Sequence, residues 1–302
     1  MTHSHSHDHQ HAPHSFNFAF ALAIFLNAAF VAAQIFYALR AHSMGLLADA
    51  AHNAGDVIGL ILAWIANWLL TLPAREQYSY GYRRTTMIAA LANALILIAS
   101  SMFIIWESIN KLRHPVFVNS QMMSIVAFIG ILINGSTALL FMRGAQSDLN
   151  IKSAFIHLTS DAAISVGVVI GGLLILWTHI FWIDPLIGLL IVGAILWSTF
   201  ALLSDCVHLI MDAVPSHINQ VDVQAYLEKL PGVSTVHDLH IWGLSTREVA
   251  LTAHLVMPDK KLTDEAFHEI NATLKKRFRI DHATLQVESG NLEFPCHTQE
   301  IC

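Results

Sequence analysis

The first 211 residues alternate long apolar stretches with short polar breaks, and the rest of the chain does not. A membrane-spanning helix needs roughly 20 mostly apolar residues, because a hydrocarbon core about 30 Å thick is crossed at about 1.5 Å per residue. Six stretches meet that length, at approximately Phe16–Leu39, Gly45–Leu70, Thr85–Asn110, Gln121–Met142, Ala154–Thr178 and Phe181–Ile210. Breaks fall at Pro73, at Arg113-His114-Pro115, at Arg143–Lys152 and at His179–Trp182. Pro185 lies near a helix start, where its missing N–H costs least. After Pro215 the pattern shortens. Val221–Leu230 predicts a helix, Val233–Leu244 and Glu248–Met257 predict strands, Thr263–Arg279 an amphipathic helix, and Ala283–Ser289 a strand. That α-β-β-α-β order predicts a small α+β unit with its helices on one face of an antiparallel sheet. The expected organisation is an N-terminal segment (1–15), a six-span transmembrane domain (16–211), a small α+β domain (212–290) and a tail (291–302).

Composition supports lipid as the solvent for much of the chain. Of its 302 residues, 55% are hydrophobic and 13% charged, and the mean hydropathy of +0.53 excludes an ordinary soluble domain of this length. Of the 16 Lys and Arg, 8 lie in residues 16–211 and the other 8 in the last 91 residues, which are polar-punctuated. A net charge of −6 leaves no basic footprint for nucleic acid. Cys206, Cys296 and Cys302 form neither a CxxC nor an even framework. The N-terminus lacks a basic n-region and a small-residue cleavage site, so no removable signal peptide is expected. Six histidines in the first 14 residues, among Ser, Asp, Gln and Pro, predict a disordered segment able to capture metal. An even number of spans puts both termini on one side. Loops two and four carry Arg75, Arg83, Arg84, Arg143 and Lys152 against Arg40, Lys111 and Arg113 on the other face, so both termini are expected in the cytoplasm.

The chemistry sits inside the spans. The second carries Asp49, His52 and Asp56, and the fifth carries His157 and Asp161. Both therefore contain His-x-x-x-Asp, a spacing that puts imidazole and carboxylate on one helix face. Two such faces supply two nitrogens and two carboxylates, a ligand set that tetrahedral Zn²⁺ accepts. An Asp at a helix centre costs about 2.5–3.5 kcal/mol to insert, and a divalent cation would compensate it. A lone intramembrane His is adequately explained by helix packing. Two His-x-x-x-Asp pairs on different spans are not. Asp49 reads equally as a third acidic group or as the cytoplasm-distant end of its helix. Asn27, Gln34, Asn53 and Asn134 are candidates to line an aqueous route or to orient the imidazoles. The soluble part adds His237, His240, His254, His268, His282 and Glu288.

The segment from Leu46 to Asp56, reading LLADAAHNAGD, resembles the second-span signature of the cation diffusion facilitator family. The fifth-span run Ala154–Asp161 with Ser165–Val168 resembles its partner motif, and the resemblance continues through Tyr80–Arg84 and Val236–Trp242, covering about residues 16 to 290. It implies a homodimeric exchanger in the lipid bilayer that couples export of Zn²⁺, with Cd²⁺ or Co²⁺ as alternatives, to entry of protons. It implies a transport site of His52, Asp56, His157 and Asp161. The histidines resemble those of zinc-preferring members, and imidazole suits zinc better than manganese. The resemblance also implies a ferredoxin-like fold for the cytoplasmic domain, with regulatory zinc on His237, His254, His268 and Glu288. Gln286 departs from members with a His at that position. No accessory metal is expected in the loop holding Arg75, Tyr80 and Tyr82. Arg84 and Asp212 resemble the family's charged interlock at the membrane–cytoplasm junction.

Coupling follows from ligand chemistry as well, because a metal ligand must shed its proton, so metal and protons compete for the same atoms. The chain is expected to be a transporter in the inner (plasma) membrane rather than an enzyme. An intramembrane zinc protease needs a nucleophilic water and usually a base, and no His-Glu-x-x-His occurs. A membrane-bound metal sensor that does not transport is the second reading.

Overall fold

The computed structural model describes residues 18–142, 149–259 and 262–290. The His-rich N-terminus and the C-terminal tail lie outside the described residues. Six long helices come first: α1 (Phe18–Ala41), α2 (Met44–Leu70), α3 (Thr85–Arg113), α4 (Ser120–Phe141), α5 (Leu149–Thr178) and α6 (Ile183–Ile210). Among the described residues, α2, α3 and α6 and the segments Ser120–Leu139 and Phe155–Thr178 are long and apolar enough to cross a membrane. α1, with Arg40 as its one charged residue, is of comparable length at 24 residues. Lys111 and Arg113 extend α3 rather than lying in a loop, and Lys152 falls in the first turn of α5.

The chain divides into two compact units, one built from the described residues up to Ile58 plus Ala99–Ile195, the other from Gly59–Ile98 plus Leu196 onward. In the first unit, α2 starts at a joint with α6. His42 at φ +53° turns the chain out of α1. Ser43 Oγ then accepts from Leu46 N at 3.0 Å, an ordinary N-cap. The same hydroxyl donates to Asp184 Oδ1 at 2.5 Å, and the Asp184 carboxylate accepts from Met44 N at 2.6 Å and Gly45 N at 3.1 Å. A carboxylate from the first turn of α6 thus satisfies the orphan amides of α2. Gly188 permits the approach: a Cβ there would lie 3.1 Å from Met44 atoms.

The second unit contains the α+β domain: α7 (Gln220–Glu228), β1 (Thr235–Gly243), β2 (Val249–Val256), α8 (Asp264–Phe278) and β3 (His282–Glu288). Asn219 and Thr263 cap α7 and α8 through their side chains. α8 places Asp264 and Glu265 in its first turn and Lys275, Lys276 and Arg277 in its last, as its dipole favours. The sheet order is β1-β2-β3. The sheet is mixed, not antiparallel: β1 and β2 are antiparallel, but β2 and β3 are parallel. The reason is the connection. A short turn joins β1 to β2, whereas helix α8 intervenes before β3 and returns the chain to the same end of the sheet. Central β2 buries Leu251, Ala253 and Leu255 against Val223, Leu227 and Leu274 from α7 and α8.

Two ion pairs link this domain to the ends of the helices in its own unit. Arg84 Nη2 donates to Asp212 Oδ1 at 2.7 Å, the pairing expected of the interlock. Arg83 pairs with Glu248 in the β1–β2 turn, a contact not foreseen from the sequence. Thr246 N also donates to Thr86 Oγ1 at 3.1 Å.

Candidate metal centre

All four intramembrane candidates come together in the first unit. His52 Nε2 lies 3.1 Å from Asp161 Oδ1. His157 Nε2 lies 3.5 Å from Asp56 Oδ2 and 3.6 Å from Asp161 Oδ2. The pairing is crosswise: each imidazole faces a carboxylate of the other helix. Ligand atoms of His52, Asp56 and Asp161 all lie within 4.8 Å of one another, close enough for one cation to bind them after small rotations. The rings of His52 and His157 meet edge to face, 6.2 Å between centroids. Access is uneven. Asp161 and His52 side chains are 5% and 20% exposed, against 32% for Asp56 and 49% for His157.

Beside this group lies a fully buried polar layer. Asp49 is 0% exposed, as are Gln34 and Ser165. Gln34 Nε2 donates to Asp49 Oδ2 at 2.7 Å and Ser165 Oγ donates to the same oxygen at 3.0 Å. Asn53 Nδ2 donates to Gln34 Oε1 at 3.1 Å. Asp49 is therefore enclosed by protein on every side and ties α1 and α5 to α2. Gln34 and Asn53, read from the sequence as candidates to line an aqueous route or to orient the imidazoles, bond to each other and to Asp49. The sequence signal for the layer was the i,i+4 step from Asp49 to Asn53 and from Asp161 to Ser165. Asn134 is buried on α4, and its Nδ2 finds no partner among the described residues.

The soluble domain forms a second group. His237 Nε2 lies 3.2 Å from Glu288 Oε2, His254 Nδ1 lies 2.8 Å from Glu288 Oε1, and the two rings are 5.1 Å apart. Register explains this, because His237 pairs with His254 across β1–β2 and Glu288 ends β3 beside Val256. His237 Nδ1 is buried and unpartnered among the described residues, and Gln286 Nε2 donates to Glu288 Oε1 at 3.0 Å. Two imidazoles around one carboxylate fit a zinc ion by donor type. His268 does not join them. It is exposed on α8, whose buried face is set by Ile270 and Leu274. Asp238 takes a place the sequence reading did not give it: its Oδ2 lies 3.3 Å from His254 Nε2 and its Oδ1 2.9 Å from His240 Nε2. A β-bulge between His237 and His240, with Asp238 at φ +52°, turns its side chain toward His254. Strand alternation alone would have sent it to the other face.

Known proteins share both parts. The cation efflux transmembrane domain matches residues 20–211, and the cation efflux protein cytoplasmic domain matches residues 215–290. The metal cation efflux system protein CzcD of Cupriavidus metallidurans is 32% identical over 272 residues, 90% of this chain and 86% of that protein. A cadmium, cobalt and zinc/H(+)-K(+) antiporter of Bacillus subtilis is 32% identical over 253 residues, 82% of this chain and 81% of its own. Zinc transporter ZitB of Escherichia coli is 31% identical over 278 residues, covering 91% and 88%. With both domains matched in order along nearly the whole described chain, this protein belongs to the cation efflux, or cation diffusion facilitator, family of membrane cation transporters.

Proposed function

We propose that the chain exports Zn²⁺ from the cytoplasm in exchange for protons, with His52, Asp56, His157 and Asp161 as the transport site. The observation that carries the reading is the crosswise pairing of two imidazoles with two carboxylates from α2 and α5, their atoms 3.1 and 3.5 Å apart. An imidazole beside a carboxylate is held by a proton between them, and a cation that takes all four donors displaces such protons. Metal binding and proton release are then the same event read from two sides. Cd²⁺ and Co²⁺ accept similar donors and are secondary substrates. The names of the relatives agree, since one is a zinc transporter and another a cadmium, cobalt and zinc antiporter.

Both termini then lie in the cytoplasm and the protein in the inner membrane, a reading supported by the likeness of the α+β domain to a cytoplasmic domain. α2 then runs from the outer to the inner face, and Asp56 and His157, the more exposed pair, lie toward the cytoplasm. The working form is a homodimer, in keeping with the domain matched by residues 215–290. Zinc on His237, His254 and Glu288 serves as a regulator. A sensor that binds zinc without moving it is the alternative, favoured by this second group alone.

The test is reconstitution in vesicles holding a zinc dye and a pH dye, beside Asp161→Ala. Zinc entry with opposite proton movement, lost in the variant, is expected. Zinc binding with no movement of either ion under any gradient overturns the transport reading in favour of the sensor.

A further inference from the structure

Asp49 presents a problem that the four-residue site does not solve. Its carboxylate is completely buried in the second turn of α2, yet both of its hydrogen bonds fall on Oδ2. Oδ1 is buried with no partner among the described residues. A carboxylate oxygen left bare in a low-dielectric interior is costly unless something positive meets it during function. Asp49 lies three residues from His52, a rise of about 4.5 Å along α2 on the same face. It is also within electrostatic reach of both His52 and Asp161. Ser165, its partner, is one turn beyond Asp161 on α5. In the orientation proposed above, Asp49 stands one turn outward of the transport site.

We infer that Asp49 is a transit ligand for the departing divalent cation, accepting it through Oδ1 after it leaves His52 and Asp161. The layer Asp49–Gln34–Asn53–Ser165 closes the outward side of the site in this conformation. Every member is buried, and the layer joins α1, α2 and α5, so opening outward requires those helices to separate at it. Polar closure suits an ion path better than an apolar plug. When Gln34 and Ser165 release Oδ2, both carboxylate oxygens are available to the ion, and the amide oxygens of Gln34 and Asn53 are hard donors alongside. No covalent step is involved; the ion exchanges one set of oxygen and nitrogen donors for another.

This inference rests on the four-residue transport site, and the experiment separates the two. Asp49→Asn keeps shape and can accept both hydrogen bonds on its Oδ1, while removing the charge. Zinc binding to the detergent-solubilised full chain and zinc flux in vesicles are measured for wild type, Asp49→Asn and Asp161→Asn, each with a thermal unfolding scan. The expected result is that Asp49→Asn binds zinc within about threefold of wild type but transports at least about tenfold more slowly, since the lost charge contact acts in a desolvated path. Wild-type flux in Asp49→Asn overturns the transit role. Affinity falling in step with flux overturns it too, because Asp49 then acts by holding His52 in place. If Asp161→Asn binds and transports as wild type, the four-residue reading itself fails, whatever Asp49→Asn does.

Discussion

Arg84, the residue before α3, donates to Asp212, the second residue beyond α6, over 2.7 Å. Both side chains are about half exposed, so the pair contributes no more than about 1 kcal/mol to stability. Its consequence is geometric: it fixes the start of α3 against the linker that leads to the α+β domain. Arg84→Asp or Asp212→Arg alone is expected to lower zinc flux while leaving the unfolding temperature nearly unchanged. The double reversal restores flux. Failure of the double variant to exceed either single one would show that the pair has no role of its own.

If the crosswise pairs hold the cation as proposed, they set a pH dependence. Each ligand must give up its proton for metal to bind, so affinity is highest at alkaline pH and falls with acidification. Linkage gives about tenfold weaker binding per pH unit for every proton displaced. Zinc titrations of the solubilised chain between pH 6 and 8, with His237 and His254 replaced by alanine to remove the second site, are expected to show this fall. An affinity indifferent to pH would mean that the imidazoles never hold the competing protons.

In the soluble domain, His254 stands between Glu288 at 2.8 Å and Asp238 at 3.3 Å, and His268 stands apart on the exposed face of α8. His254→Ala is therefore expected to abolish zinc binding at this group, and His268→Ala to leave it within about twofold. Asp238→Ala weakens binding by about tenfold if it orients His254 as a hydrogen-bonded neighbour. Calorimetry in an Asp56→Ala, Asp161→Ala background isolates the signal. Equal losses from His254→Ala and His268→Ala would mean that the ion is held elsewhere on the domain.

Helix spacing made the four-residue group legible without coordinates, because His52–Asp56 and His157–Asp161 each sit on one face whatever the fold does. Asp49 was visible as an acid but ambiguous, since its meaning depends on which helices pack against it. Only α1 and α5, through Gln34 and Ser165, decide that it is buried. The soluble cluster was half legible. The resemblance grouped His237 with His254, but the bulge at Asp238 breaks the strand alternation from which its own place beside them could have been read. His268 was assigned by resemblance, and α8's own periodicity argues against it, because Ile270 and Leu274 define the buried face. The parallel pairing of β3 followed from α8 as a crossover, a tertiary fact that strand composition does not encode.

Asp184 offers a test of what holds the site-bearing helix in place. It accepts from Met44 N, Gly45 N and the Ser43 hydroxyl at 2.5–3.1 Å while fully buried. Lys111 Nζ, donating to the His42 carbonyl at 3.0 Å, braces the same turn. Asp184→Ala leaves two amides and a hydroxyl without their acceptor in a buried joint. Charged hydrogen bonds contribute about 1.5–3 kcal/mol each, so a loss of about 3 kcal/mol or more is expected. Asp184→Asn retains one oxygen acceptor and should lose less than half of that. Because the start of α2 carries Asp49 and then His52, loosening it is also expected to weaken zinc binding in the alanine variant. Thermal unfolding in detergent and zinc titration of both variants check the pair of effects. An alanine variant as stable as wild type would show that α2 is anchored by its apolar packing alone, with Gly188 against Met44 as the contact to break next.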